Sequence, residues 1–186
     1  MKESALTLNF AALMKGQLGI SSVYGSFLAE AASHCLLRNN HVNPVLLDIT
    51  GDTCALSSLK WCATSELGEE TWADVQEATE YGAYGVAIVV ALTLTETPKV
   101  ERSVKGTGVD YWLGDGKDER GIFQHTARLE VSGILDGGKT KIGARLREKL
   151  AQTKRSDSAG LPAYVVIVEF GAPEASIVRS AWRTNK

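Results

Sequence analysis

The chain has 186 residues, of which 44% are hydrophobic and 23% are charged, as is ordinary for a water-soluble globular protein. This length supports a substantial core, so we expect residues 1–186 to form a single domain. No apolar run approaches the roughly 20 residues that a membrane-spanning helix needs, and residues 1–10 lack the apolar core of an export signal. These features argue against a membrane or exported protein and favour a cytoplasmic one.

The cysteines argue against two common stabilising devices. Cys35, Cys54 and Cys62 are odd in number, form no Cys-x-x-Cys pair and have no histidine nearby at the spacing of metal ligands. A disulfide framework and a zinc site are therefore not expected. We interpret all three as small, half-buried thiols in a reducing compartment.

The formal net charge of -2 conceals an uneven distribution. Residues 1–96 contain 4 Lys or Arg against 11 Asp or Glu, whereas residues 97–160 contain 13 against 9. The basic excess in the second segment is compatible with a polyanionic ligand such as nucleic acid, and a solvated surface explains it equally well.

The first half of the chain contains patterns for two helices and one strand. The Ser21–Ser22 pair is a typical N-cap for a helix over about 23–38. Residues 44–50 (PVLLDIT) form a short apolar run that predicts a buried strand. Residues 69–85 predict a second helix, whose acidic first turn suits the positive end of the helix dipole.

The second half contains patterns for four strands and one helix. Residues 85–96 begin as a continuous apolar run, which predicts a strand buried on both faces at the centre of a sheet. Residues 108–114 and 123–134 predict two more strands joined by a polar hairpin loop. Residues 137–155 predict an amphipathic, strongly basic helix, and residues 162–170 predict the last strand. From residue 70 the order is helix, three strands, helix, strand.

Two acids in the predicted hairpin are candidates for chemistry. Alternation along the second strand puts Arg128, Glu130 and Ser132 on one face. Folding the hairpin brings Asp110 roughly level with residues 127–130, so Asp110 and Glu130 can meet on adjacent strands. Two converging carboxylates repel each other unless a cation lies between them, and Mg²⁺ favours carboxylate oxygens. A metal held there would activate water and stabilise a phosphoryl group under attack.

This order of elements, with these two acids, resembles the PD-(D/E)XK or restriction-endonuclease-like superfamily. In that family an Asp begins the second core strand, and a Glu or Asp followed two residues later by Lys lies on the third. The segment GTGVDYWLG supplies Asp110 and the segment ARLEVSG supplies Glu130. Many members also carry a Glu on the first core helix, for which Glu80 is the first choice here and Glu77 the second.

The resemblance implies an α/β fold with a restriction-endonuclease-like αβββαβ core over about residues 70–170, in which helices flank a central mixed sheet. Residues 1–69 would form an N-terminal helix and strand extension, and residues 171–186 a C-terminal tail. It also implies a nuclease, a hydrolase in which Asp110 and Glu130 hold Mg²⁺ with help from Glu80. The implied partner is nucleic acid, DNA in the first instance, and the implied working state is a homodimer or a subunit of a larger complex.

The motif departs from the family at Ser132, where the family has Lys. Serine is neutral, so it cannot stabilise an anionic transition state as an ammonium does. A replacement cation could come from Lys139 or Lys141 on the following helix, from Arg128, or from Lys105. Two alternatives stay open: the site binds metal or nucleic acid without cutting, or the resemblance is accidental.

Basic residues beside the predicted site are the candidates for phosphate contact. They are Lys139, Lys141, Arg145 and Arg128. A solvated helix face is the simpler interpretation of the first three. Two functional hypotheses therefore remain: a metal-dependent nuclease, and a non-catalytic nucleic-acid-binding or protein-assembly subunit built on a degenerate nuclease fold.

Overall fold

The computed structural model describes residues 6–63, 67–153 and 160–180. Within these ranges the protein is α/β, with eight strands in one mixed sheet and five helices. In chain order the elements are β1 (Leu6–Asn9), α1 (Ala11–Met14), α2 (Ser22–Arg38), β2 (Val45–Gly51), β3 (Ala55–Lys60), α3 (Gly68–Thr71), α4 (Val75–Thr95), β4 (Lys99–Arg102), β5 (Tyr111–Lys117), β6 (Phe123–Ile134), α5 (Gly138–Thr153), β7 (Ala163–Glu169) and β8 (Glu174–Ser180).

The strands lie in the order β1-β3-β2-β8-β7-β6-β5-β4. The consecutive strands β4, β5 and β6 pair antiparallel, whereas β6 and β7 pair parallel. A parallel connection needs a crossover, and α5 supplies it. On the other side of β7, β8 pairs antiparallel with β7 and parallel with β2.

Helices cover both faces of the sheet where β7 lies. Val166 and Val168 of β7 belong to the large core that also contains the buried faces of α2 and α4. The alternate residues Val165 and Ile167 pack instead with Ile142 of α5. Burial on both faces explains the near-continuous apolar sequence of β7, which predicted this strand.

The prediction of a strand over residues 85–96 was wrong, because these residues continue helix α4. Asp74 begins the helix, and its side chain accepts hydrogen bonds from the backbone N–H groups of Gln76 and Glu77. A side chain at Gly82 would meet the backbone of Ala32 in α2 at 3.0 Å, so the glycine permits close helix packing. The apolar run therefore reflects a helix buried all round, which periodicity cannot distinguish from a buried strand.

Helix α4 is also the one helix in the described ranges that is long and apolar enough to cross a membrane by length and composition. In this protein 72% of the most apolar 18-residue stretch of α4 is buried inside the fold. That burial, between α2 and the sheet, is the environment of the core helix of a soluble protein.

Several other predicted elements are confirmed. Helix α2 begins at Ser22, and the Ser21 side chain accepts a hydrogen bond from the backbone N–H of Tyr24. Strand β6 has the predicted bounds, and α5 follows the prediction as far as Thr153; residues 154 and 155 lie outside the described ranges. From residue 75 the elements run helix α4, strands β4, β5 and β6, helix α5 and strand β7, but β4 was not predicted, and the segment predicted as the first strand is helical. Strand β8 lies in the segment interpreted as a tail.

Candidate functional site

The candidate site lies where the pairing of β5 with β6 ends. The last residue pair of this ladder is Tyr111 with Leu129. The backbone N–H of Asp110 donates to the carbonyl of Leu129 at 3.1 Å, so this register brings Asp110 level with Glu130. Beyond this point β6 continues to Ile134, where β7 is its one pairing partner among the described strands. The sheet therefore opens at the two acids.

Asp110 is held by contacts from two elements. Its Oδ2 atom accepts a hydrogen bond of 2.8 Å from the backbone N–H of Val131, at the free edge of β6. Its Oδ1 atom lies 3.1 Å from the hydroxyl of Tyr84, which also lies 3.0 Å from Oε1 of Glu80. The hydroxyl has one proton, so it donates to one carboxylate at a time. Tyr84 therefore links Glu80 of helix α4 to Asp110, the residue just before β5.

A network of tyrosines and an arginine supports Tyr84 from behind. The ring of Tyr84 makes an edge contact with the ring of Tyr111, with centroids 5.4 Å apart. The hydroxyls of Tyr111 and Tyr24 are 2.9 Å apart, and Nη1 of Arg102 donates to both. These contacts tie α2, α4, β4 and β5 together next to Asp110.

Glu130 is 6% exposed and carries an ion pair with helix α5. Its Oε1 atom accepts a hydrogen bond of 2.6 Å from Nζ of Lys149, whose side chain is only 19% exposed. Its Oε2 atom accepts no hydrogen bond from the described residues. Burial, and then the charge of Asp110, raise the pKa of Glu130, while Lys149 opposes this shift.

A groove of about 1040 Å³ runs between α4 and α5 along the free edge of β6. Its lining contains Glu80, Tyr84 and Ser132 together with three basic residues of α5: Lys141, Arg145 and Lys149. Asp110 and Glu130 lie beside this lining, in contact with Tyr84, Val131 and Lys149. The groove therefore places cations of α5 opposite Glu80 of α4, with the acids Asp136 and Glu148 also in its lining.

The donor set fits a magnesium ion that keeps several waters. Within the described ranges, no group of three or more His, Cys, Asp or Glu side chains is arranged to hold a metal. Mg²⁺ in phosphoryl-transfer sites, however, is often bound by only one or two carboxylates plus the phosphates of the substrate. Asp110 and Glu130 have the right chemistry for this, and Oε2 of Glu130 has no competing protein donor among the described residues.

The predicted phosphate-binding cations lie in different places. Lys139 is exposed at the start of α5. Lys141 lines the groove and donates to the carbonyl of Asp136 at 2.9 Å, and Arg145 lines it and forms an exposed pair with Glu148. Lys105 is exposed in the β4–β5 connection. None of these four pairs with Asp110 or Glu130 in the described structure.

Arg128 does not join the groove. It shares a strand face with Glu130, as expected, but it is 2% exposed. Its guanidinium donates to the carbonyls of Leu161 at 3.0 Å and Thr153 at 3.3 Å. Thr153 is the last described residue of α5, so Arg128 ties β6 both to this part of the helix and to the segment before β7. We therefore leave Arg128 out of the nucleic-acid contacts.

Two site residues were missed from the sequence, Lys149 and Tyr84. Lys149 was counted with the basic residues of α5, yet it follows Ile142 by seven positions and Leu146 by three, which puts it beside the apolar stripe that faces the sheet. Tyr84 lies inside the helix predicted over residues 69–85, so its spacing from Glu80 was already present in the sequence and was not used. In a continuous helix Tyr84 follows Glu80 by four positions, so the two share a face.

Comparison with known proteins adds no relative to these observations. No family model, no curated protein and no solved structure matches this chain.

Proposed function

We propose that this protein is a metal-dependent nuclease of the PD-(D/E)XK type, which hydrolyses phosphodiester bonds of nucleic acid. The observation that carries the proposal is the meeting of Asp110 and Glu130 at the open end of the β5–β6 ladder. Tyr84 links Glu80 to this pair, and the groove beside it is lined by cations of α5. The order α4, β4, β5, β6, α5, β7 is the order of elements on which the family resemblance depends.

The electrostatics of the pair support a cation as the missing partner. Glu130 is buried against the charge of Asp110, an arrangement that raises its pKa and costs folding free energy. A divalent cation between the two carboxylates would remove that cost. Perturbed acids of this kind, in a groove, are typical of functional sites.

The reaction would be hydrolysis in which a water oxygen forms a bond to phosphorus. The bond from phosphorus to the leaving sugar oxygen breaks, the water proton passes to solvent, and the leaving oxygen takes a proton from solvent. Mg²⁺, when bound, supplies activation of the water and neutralisation of the developing negative charge. Asp110 and Glu130 would hold the ion, while Lys139, Lys141 and Arg145 would attract the phosphates.

A second candidate function is a nucleic-acid-binding or assembly subunit that does not cut. Ser132 favours it, because the family motif has a lysine there. In this case the groove would bind a phosphate backbone with the salt dependence typical of such contacts.

A cleavage assay separates the two. Plasmid, linear duplex and single-stranded DNA, and RNA, are incubated with Mg²⁺, Mn²⁺ or EDTA and with wild type, Asp110→Asn or Glu130→Gln. Asp115→Asn is the matched control, because Asp115 is an exposed acid of β5, the strand that follows Asp110. We expect metal-dependent cutting by wild type and the control, and a loss of about 10²-fold or more in both site variants. Cutting that survives either site change contradicts the proposal.

A further inference from the structure

Lys149 is the one cation in the described ranges that pairs with Asp110 or Glu130; its partner is Glu130. Its ammonium makes a single hydrogen bond, to Oε1 of Glu130 at 2.6 Å. An ammonium has three N–H donors, so two remain without a partner among the described residues. Lys149 also lines the groove. The ammonium of Lys149 therefore has a fixed position, and two of its N–H donors have no partner among the described residues and can bind a further ligand.

The position of Ser132 makes the origin of this cation clear. Ser132 and Glu130 lie two residues apart on β6 and so share a strand face. That face is the one covered by α5, because Ile134, on the same face, packs against Ile142. A lysine from α5 therefore reaches the same carboxylate that a lysine at position 132 would accompany. Ser132 is small and neutral, so it neither blocks nor repels the ammonium of Lys149.

We infer that Lys149 is the catalytic cation of the groove, supplied by helix α5 in place of a lysine at position 132. This inference rests on the proposed nuclease function. During hydrolysis a water oxygen bonds to phosphorus and the bond to the leaving sugar oxygen breaks, with proton exchange to solvent as above. Lys149 takes no part in the proton exchange; its ammonium donates to the attacking water or to a phosphate oxygen and stabilises the negative charge that develops.

The alternative role for Lys149 is purely structural: it would neutralise a buried carboxylate. The two roles differ in what happens to the metal when the lysine is removed. A catalytic cation is not needed for metal binding, so its removal leaves the affinity for Mn²⁺ unchanged or higher while cutting is lost. A structural cation holds Glu130 in place, so its removal impairs metal binding and cutting together.

The test uses the full chain with four proteins: wild type, Lys149→Met, Ser132→Lys/Lys149→Met, and the control Arg147→Met, an exposed cation of the same helix. Mn²⁺ binding is measured by electron paramagnetic resonance, cleavage by gel assay, and the folded state by near-ultraviolet circular dichroism. We expect Lys149→Met to bind Mn²⁺ within about threefold of wild type and to lose about 10²–10³-fold in cleavage rate. The double variant should recover at least about tenfold, and the control should match wild type.

Each other result counts against the inference in a distinguishable way. Cutting by folded Lys149→Met at the wild-type rate overturns it and leaves the nuclease function standing. So does a joint loss of Mn²⁺ binding and cutting that the double variant does not restore. If Lys149→Met does not fold, the double variant decides, because it returns a cation to Glu130: folded without cutting, it overturns the inference. A wild type that binds Mn²⁺ but never cuts overturns the inference and favours the non-catalytic subunit. A wild type that does neither overturns the proposed function as well.

Discussion

Glu130 of β6 and Glu169 of β7 are both buried, on neighbouring strands, and differ in what surrounds the carboxylate. Glu169 is 1% exposed, and its oxygens accept hydrogen bonds from three backbone N–H groups: those of Gly137 at 3.2 Å, Gly171 at 3.0 Å and Ala172 at 2.6 Å. Among the described residues Glu130 has one hydrogen-bond partner, Lys149, and it faces another acid, Asp110.

The difference separates a structural acid from a functional one. The donors around Glu169 compensate its charge and fix the turn between β7 and β8, so burial serves the fold. The surroundings of Glu130 leave one oxygen without a donor in the described structure and add a repulsive charge. An unfavourable electrostatic free energy that the fold does not require is expected at functional sites. Buried charge alone therefore does not identify a site, whereas incomplete compensation does.

The sharpest test of this comparison is the same isosteric change at both positions. Glu169→Gln replaces an acceptor by an amide NH₂ that faces backbone donors, so we expect a loss of about 2–4 kcal/mol in the free energy of unfolding. Urea denaturation measures it. The comparison fails if Glu169→Gln is as stable as wild type.

Glu130→Gln should have the opposite effect on stability. It removes a carboxylate whose charged form is disfavoured by burial and by Asp110, so we expect a gain of about 0.5–2 kcal/mol near neutral pH. The folded-state pKa of Glu130 lies above its unfolded value of 4.5. The stability of wild type relative to this variant is therefore greatest below that value, and is lost as the pH rises through the folded-state pKa.

This second prediction is checked by urea titrations of both proteins between about pH 4 and pH 7. Asp115→Asn is the control, since it removes an exposed acid of the neighbouring strand. A difference between Glu130→Gln and wild type that stays constant or shrinks with rising pH would show that Glu130 is compensated as well as Glu169.

Tyr84→Phe should have a smaller effect, and on activity more than on stability. The change removes one hydroxyl that lies between Glu80 and Asp110 and keeps the ring contact with Tyr111. A hydrogen bond to a charged group contributes about 1.5–3 kcal/mol. Because this hydroxyl positions Asp110 and does not touch the substrate, only part of that should appear in the cleavage rate, which we expect to fall roughly threefold to tenfold. Single-turnover kinetics measures the rate, and an unchanged rate would remove Tyr84 from the site.

The smallest single effects should come from the groove cations. Changing Lys139, Lys141 or Arg145 to Ala should weaken binding to all nucleic-acid sequences alike and reduce the slope of log affinity against log salt by about 1 for each residue. Fluorescence anisotropy at several salt concentrations measures this slope. Arg128 is not among the described residues that line the groove, so its loss should act on stability; a change of slope in a folded Arg128→Gln protein would contradict that assignment.

Local sequence signals predicted much of the half of the fold that contains the site. The Ser21 cap, the alternation in β6 and the apolar stripe of α5 are each decided by nearby residues, and they gave these elements nearly correct bounds. Alternation and the hairpin loop also placed Asp110 roughly level with residues 127–130, and the structure selects Glu130 from that range. These predictions needed no knowledge of the rest of the chain.

The failures came where tertiary contacts decide. Residues 85–96 are apolar because α2 and the sheet surround α4, and that composition suits a buried strand equally well. Strand β8 was missed although it forms a hairpin with β7, the strand before it; its other partner, β2, is distant in the sequence. The Lys149–Glu130 pair joins a helix to a strand, so the sequence gives the helix face of Lys149 but not the carboxylate it reaches.

The central claim is that Asp110 and Glu130 together hold a divalent cation at the open end of the β5–β6 ladder. The most direct measurement is an anomalous difference map from a crystal of the protein soaked in Mn²⁺. The account predicts a peak within about 2.0–2.2 Å of an oxygen of each carboxylate, absent from an identical soak of Glu130→Gln. A map with no peak between these two side chains, or with its peak elsewhere, would contradict it.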